Sequence, residues 1–419
     1  MRVAIVGSGV SGLYTAYRLA NRFDVTVFEA NNRVGGHANT VTVEDEGNSI
    51  GVDTGFIVHN DRNYPLLTAM FNELDVPTQA SEMSFSVVDT ERNINYRATN
   101  LKTIFAHKPN IAKPAVWKML AEILRFNRLA QRELAAGELQ PESTSEFCRR
   151  NKFSSDFVEL YLIPLGASIW SADPSTYMDF PINTLLRFLD NHGLVSIGDR
   201  PNWRTVSGGS QVYVDRLITH LHAGGTKILT NSSVEVVKRA QDRVEITASG
   251  TPHSFDAAVI ACHSDQALAM LERPTDLEKQ TLGNISYISN TATLHTDRSL
   301  MPPNRTQWAS WNYLREPAST LPRLTYDMNI LQRLKTKRNY FVSLNSQAAI
   351  NPNAILYQTQ YQHPVFDLGS QQARLQHSEM LKQGTKSRTF FAGAYWHYGF
   401  HEDGALSGSQ AADAVMSLT

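Results

Sequence analysis

The sequence predicts an α/β protein of two domains, and three stretches carry that expectation. The first thirty residues read strand, glycine turn, helix, strand, acid. The stretch from Thr389 to Ala412 reads apolar strand, then small-residue helix. Between them, four short strands from Lys227 to Ala261 are flanked by segments of mixed helical and alternating pattern. With 419 residues, 42% of them hydrophobic, the chain can bury two cores.

Arg2 to Val6 reads as a buried strand, and Gly7-Ser8-Gly9-Val10-Ser11-Gly12 as the turn opening a helix that runs to about Asn21. Val25 to Phe28 is the next strand, ending on Glu29 and Ala30. Gly7 allows the tight turn, Gly9 lets backbone approach a pyrophosphate, and Gly12 lets helix and strand pack closely. The helix N-terminus offers free amides and partial positive charge to phosphates. Glu29 follows at the interval of roughly 20 residues at which an acid accepts from ribose hydroxyls. Together these predict a Rossmann-type dinucleotide grip.

Composition narrows the remaining classes. Lys and Arg number 39 against 40 Asp and Glu, a net charge of −1, so no overall electrostatic case for nucleic acid exists. Cys148 and Cys262 are the only cysteines and match no metal or redox spacing; they read as reduced thiols of a cytoplasmic protein. Val3 to Val6 is too short for a signal-peptide core. No apolar run approaches the roughly 20 residues of a membrane span.

Asn31-Asn32-Arg33-Val34-Gly35-Gly36-His37 suits a loop lying against the same dinucleotide, with Arg33 offering charge to its phosphates. Thr40–Val43 and Ser49–Val52 alternate as strands, and Asp53-Thr54-Gly55-Phe56 follows. In GSGVSG, Glu29, RVGG and DTG the chain resembles the amine-oxidase and phytoene-desaturase superfamily of FAD-dependent enzymes, which includes protoporphyrinogen oxidase. It looks most similar there to bacterial NAD/FAD-binding proteins grouped with lipid-modifying desaturases. The resemblance implies FAD, a Rossmann-type FAD domain from residues 1–75, 203–265 and 388–419, and a mixed α+β substrate domain from 76–202 and 266–387. It also implies an adenine contact through the backbone of Val234.

Tyr64–Leu74 reads as a helix and 76–96 as strands. Ala115–Ala136 reads as a basic amphipathic helix, apolar through Trp117, Leu120, Ile123, Leu124 and Leu129. Such a helix either lies on an anionic membrane surface or packs with a solvated face. Ser143 and Glu146 form a capping pattern. Phe157–Trp170 is an apolar helical stretch broken at Pro164 and Gly166, Asp173-Pro174 is a turn, and Asn183–Asn191 is a helix. Gly208-Gly209 opens a helix over Val212–Leu221. Tyr287–His295 alternates as a strand with one side to a cavity. Amine oxidases of the superfamily carry a lysine on the corresponding strand; Asn290 and Thr291 stand here, which counts against amine oxidation.

After the strand ending at Gly393, a helix begins near Gly404. Gly404, Ala405, Gly408, Ala411 and Ala412 give it a face for close backbone approach. In the superfamily this helix points its N-terminus at the flavin ring. Ala394 occupies the place where many relatives carry an acid, leaving Glu402 or Asp403 to contact the ribityl or diphosphate region. His397 and His401 have metal spacing for a helix, but Gly399 and the aromatics predict a loop without a third ligand, so no metal is expected. His295, His397 and His401 are expected to orient substrate or relay a proton. The expected reaction is oxidation of a CH–CH bond in a hydrophobic acyl-lipid or isoprenoid substrate. Amine oxidation releasing hydrogen peroxide and redox-neutral isomerisation by reduced FAD are the alternatives. Expected partners are a hydrophobic small molecule or lipid and a peripheral membrane contact, with no nucleic acid.

Overall fold

The computed structural model describes residues 1–137, 142–170, 177–195, 201–316 and 323–419; the Asp173-Pro174 turn lies outside the described residues. Five parallel strands form one sheet in the spatial order Lys227–Leu229, Asp24–Phe28, Arg2–Val6, Ala257–Ile260, Thr389–Phe391. Both Arg2–Val6 and Asp24–Phe28 are buried beyond their first residue, as a sheet covered on two faces requires. Strand order reverses between Arg2–Val6 and Ala257–Ile260. A crevice at the carboxyl ends of strands at such a point is where α/β sheets bind ligands.

The helix Val10–Leu19 covers this sheet beside the C-terminal helix His401–Met416. Their contacts run in step: a Cβ on Gly404 would meet Val10 and Ser11, one on Gly408 would meet Ser11 and Thr15, and Arg18 bonds Ser409 and Asp413. The helices are therefore parallel, with both N-termini at the carboxyl edge of the sheet. The C-terminal helix starts at His401, three residues before the expected Gly404, because Asp403 caps Phe400 N–H at 2.8 Å.

A second, seven-stranded sheet runs 355–364, 287–295, 341–344, 323–327, 311–315, 85–89, 94–97, antiparallel except where 311–315 meets 85–89. Helices of residues 114–191 pack beside it on an aromatic core containing Phe126, Phe147, Phe157, Trp170 and Phe188. The Ser143–Glu146 capping box is present. Pro164 does not break its helix: a wide turn at Val158–Leu162 precedes it, offering slack where proline lacks an N–H. Gly166 lies instead against the Tyr177 ring.

The helix Pro114–Ala136 forms as expected, and Leu120, Ile123 and Leu129 of its expected apolar side pack partly buried against the neighbouring cores. Val116, Met119, Phe126 and Ala130 point inward, leaving Trp117 52% and Leu124 46% exposed. Among the described residues, no helix is long and apolar enough to cross a membrane.

Candidate active site

The glycine turn meets the switch point of the parallel sheet. Gly7 has φ +104°, and a Cβ there would lie 2.7 Å from the Ala261 carbonyl; a Cβ on Gly12 would enter the Gly7 carbonyl. Neither position admits a side chain. Gly9 differs, because its Cβ would meet nothing within 4 Å. The helix behind it has no side-chain cap and no acid in its first turn. Open space before uncapped amides fits a diphosphate.

Glu29 closes the far side of the turn. One carboxylate oxygen accepts from Ser8 N–H at 3.0 Å and Ser8 O–H at 2.5 Å; the other accepts from Asn31 N–H at 2.9 Å and its side chain at 2.8 Å. Glu29 thus ties the glycine turn to the Ala30–His37 loop. Its backbone bonds Leu229 and Ser232, which brings the start of the Val234 strand near the same edge. Arg33 turns its guanidinium onto its own loop, donating to Ala38 O and Gly36 O at 2.6 Å each. Charge at the loop is retained, with the arginine acting first as a brace for Gly35 and Gly36.

Asp53 does not open toward the dinucleotide grip. Its carboxylate accepts from Thr40 O–H at 2.6 Å, Ser210 N–H and O–H at 2.8 Å each, and Gln332 at 2.9 Å. Burial, the largest influence, still pushes it up to about 6. Thr54 and Asn39 instead hold the Tyr361 hydroxyl, at 2.8 and 3.0 Å. Gly55 lies directly beneath the His37 carbonyl.

Glu402 accepts from Leu66 N–H at 2.8 Å and Leu67 N–H at 3.0 Å, capping the helix Pro65–Glu73. Asp403 caps its own helix, and burial drives it up to about 7. Each acid therefore satisfies backbone donors at a helix start, a structural role that the expected ribityl or diphosphate contact did not include. Gly393 donates to Ser407 at 3.0 Å, holding the strand end against the helix and leaving Ala394 in a short helical turn.

The three expected histidines are not brought together. His295 is buried within the second sheet, bonded to Ser343 at 2.8 Å. His397 packs edge-on to His377, with Arg374 donating to its carbonyl at 2.6 Å. His401 stacks on Phe56 at 3.7 Å and bonds the Tyr213 hydroxyl at 2.9 Å; burial draws it down to about 3. Ala405 is buried in the core of the parallel-sheet domain.

A different group converges where the two sheets meet. His37 stacks on Tyr361 at 4.7 Å and lies 5.5 Å from His363 and 6.5 Å from His263. His263 stacks on Tyr287 at 4.5 Å. His363 bonds Asn290 at 2.7 Å. Burial, the leading cause, lowers all three imidazoles: His37 well below the ordinary range, His363 to about 4, and His263 in the same direction. The site therefore offers neutral rings and phenols around Asn290, and among the described residues no three His, Cys, Asp or Glu side chains are placed to hold a metal ion. Tyr361 and His363 share a strand face by their i, i+2 spacing, a signal the strand Ile355–Pro364 carries in sequence. His263 directly follows the Ala257–Ile260 strand region at the switch point, the other readable cue.

A sequence model of flavin-containing amine oxidoreductases matches residues 10–331. The chain is 29% identical over 198 residues to protoporphyrinogen oxidase 2, chloroplastic/mitochondrial, of Arabidopsis thaliana, spanning 42% of this chain and 34% of that protein, about a third of its length. The fold matches a redesigned putrescine oxidase with TM-score 0.70 at 16% identity, covering 100% of this chain and 99% of the other. It also matches a fatty acid isomerase of P. acnes that produces CLA, with TM-score 0.68 at 14% identity, covering 99% and 98%. The open Gly9 cradle and the flavin-containing family agree on FAD as the bound dinucleotide. The chain belongs to the flavin-containing amine oxidoreductase family and is an FAD-dependent oxidoreductase.

Proposed function

We propose that this enzyme oxidises a CH–CH bond in a hydrophobic acyl-lipid or isoprenoid chain. One observation carries the reading. The aromatic core of the helical region continues to the start of the C-terminal helix, through Trp170, Phe188 and Phe400, with Phe188 and Phe400 stacked at 5.0 Å. Residues of that kind suit an apolar chain, while the neutral His37, His263 and His363 supply no fixed charge for an ammonium group. When bound, FAD supplies the hydride acceptor. The proton lost from the adjacent carbon goes, on this reading, to an unprotonated nitrogen of His37 or His263, neither of which has a ring hydrogen bond among the described residues. Asn290 stands on the strand where the resembling amine oxidases carry lysine, which supports the same reading.

The surface supports a lipid source. Leu101, Ile111 and Trp117 are exposed by 65, 56 and 52%, with Phe105 packed on Trp117 at 4.7 Å, and exposed Lys102, Lys108 and Lys118 beside them. Apolar side chains ringed by lysines match an anionic bilayer face.

An anaerobic single turnover with extracted lipids tests the reaction. The expected result is flavin bleaching with one product lighter by two hydrogens. A product of unchanged mass with a moved double bond would make the enzyme an isomerase. Bleaching by polyamines alone, with peroxide formed in air, would replace the proposal with amine oxidation.

A further inference from the structure

Of the three histidines at the sheet junction, only His363 has a ring nitrogen held by a chain of hydrogen bonds whose direction can be derived. The chain starts at a backbone amide, which only donates. Thr291 N–H donates to Asn345 Oδ1 at 2.8 Å. Asn345 must then present Nδ2 to its other partner, and Asn290 Oδ1 accepts it at 2.7 Å. Asn290 is left with Nδ2, which lies 2.7 Å from His363 Nδ1. An amide nitrogen cannot accept, so Nδ1 accepts and the single proton of the neutral ring sits on Nε2. Asn290 is 2% exposed, so water does not compete for the middle link. Nε2 has no partner among the described residues. His363 is part-buried as a residue, and its ring stands 5.5 Å from His37 and 6.4 Å from Tyr361, on the side where the two sheets meet.

We propose that Asn345 and Asn290 are positioning residues that lock His363 as an Nε2–H donor for a carbonyl oxygen or ring nitrogen of the bound ligand. Burial favours the neutral ring that this role requires. A fixed donor adds no reorganisation cost when the acceptor gains charge, which is how preorganised polar groups assist a reaction. The tautomer lock does not depend on the substrate being a lipid; the donor role toward the substrate rests on that reading.

Nitrogen-15 NMR of histidine-labelled protein tests it, with His363→Gln assigning the resonance. The wild type is expected to show His363 protonated at Nε2 only. Asn290→Asp replaces the donating amide by an accepting carboxylate, so the proton should move to Nδ1, with or without a second at Nε2. Asn345→Ala frees the Asn290 amide to rotate and should give a tautomer mixture. A wild-type His363 protonated at Nδ1, or a tautomer unchanged in Asn290→Asp, overturns the lock, whatever reaction the enzyme performs. Two additions identify the acceptor. Displacement of the Nε2–H signal on FAD loading marks the flavin, and displacement only when oleate is added to the loaded enzyme marks the substrate. No displacement in either case overturns the donor role.

Discussion

Asp53 and Gln332 exchange two buried hydrogen bonds of 2.9 Å, one from the Asp53 amide and one to its carboxylate. The pair joins the end of the Asn48–Asp53 strand to the helical turn after Arg323–Asp327, and Thr40 and Ser210 complete the carboxylate's shell. Its buried carboxyl is raised from 3.8 to about 6. A raised acid contributes stability that is complete below its unfolded value and lost as pH rises through the folded value. Relative to Asp53→Asn, which does not titrate, wild-type stability should fall between pH 4 and pH 7 by about 3 kcal/mol. Urea unfolding of both proteins across that range reads the difference. A difference that grows with pH would mean the carboxylate is stabilised in its ionised form.

The glycine turn separates fold from cofactor binding. Gly12→Ala drives a methyl into the Gly7 carbonyl and should cost about 1–3 kcal/mol or prevent folding. Gly9→Ala adds a methyl to empty space. It should leave the apoprotein within about 1 kcal/mol of wild type while weakening FAD binding at least tenfold, about 1.4 kcal/mol. Flavin fluorescence titration and thermal unfolding check the pair. Equal FAD affinity in Gly9→Ala would remove the diphosphate from this turn.

Glu402 stabilises a helix it does not belong to. Glu402→Ala strips the cap from Leu66 and Leu67 and should destabilise the protein by about 1–2 kcal/mol. The absorbance spectrum of bound flavin should not move. A spectral shift without a stability change would place Glu402 against the cofactor instead.

The patch around Trp117 should bind vesicles containing phosphatidylglycerol, more weakly as salt rises. Changing Leu101 and Trp117 together to glutamate should weaken cosedimentation at least tenfold without altering circular dichroism, since both side chains are exposed. Equal binding to neutral vesicles, or none to anionic ones, would dissociate the patch from membranes.

The dinucleotide grip was legible from residues 1–37 because its parts lie within one strand–turn–helix–strand unit, where backbone geometry alone demands glycine at Gly7 and Gly12. The Ser143 cap and the helix Pro114–Ala136 were readable for the same local reason. That Trp117 and Leu124 stay outside was not, because only the tertiary neighbours decide that Val116 and Met119 are buried while Trp117 lies on Phe105 at the surface. That Glu402 and Asp403 each satisfy an open helix start was not legible either, because Leu66 and Leu67 lie more than three hundred residues from Glu402 and the start of the last helix is set by its fold. By itself the sequence determined the α/β class and the FAD grip, through short-range patterns with few physical solutions. Only tertiary structure decided which histidines meet: His37, His263 and His363 come from segments a hundred or more residues apart, joined by strand pairing that no local pattern records.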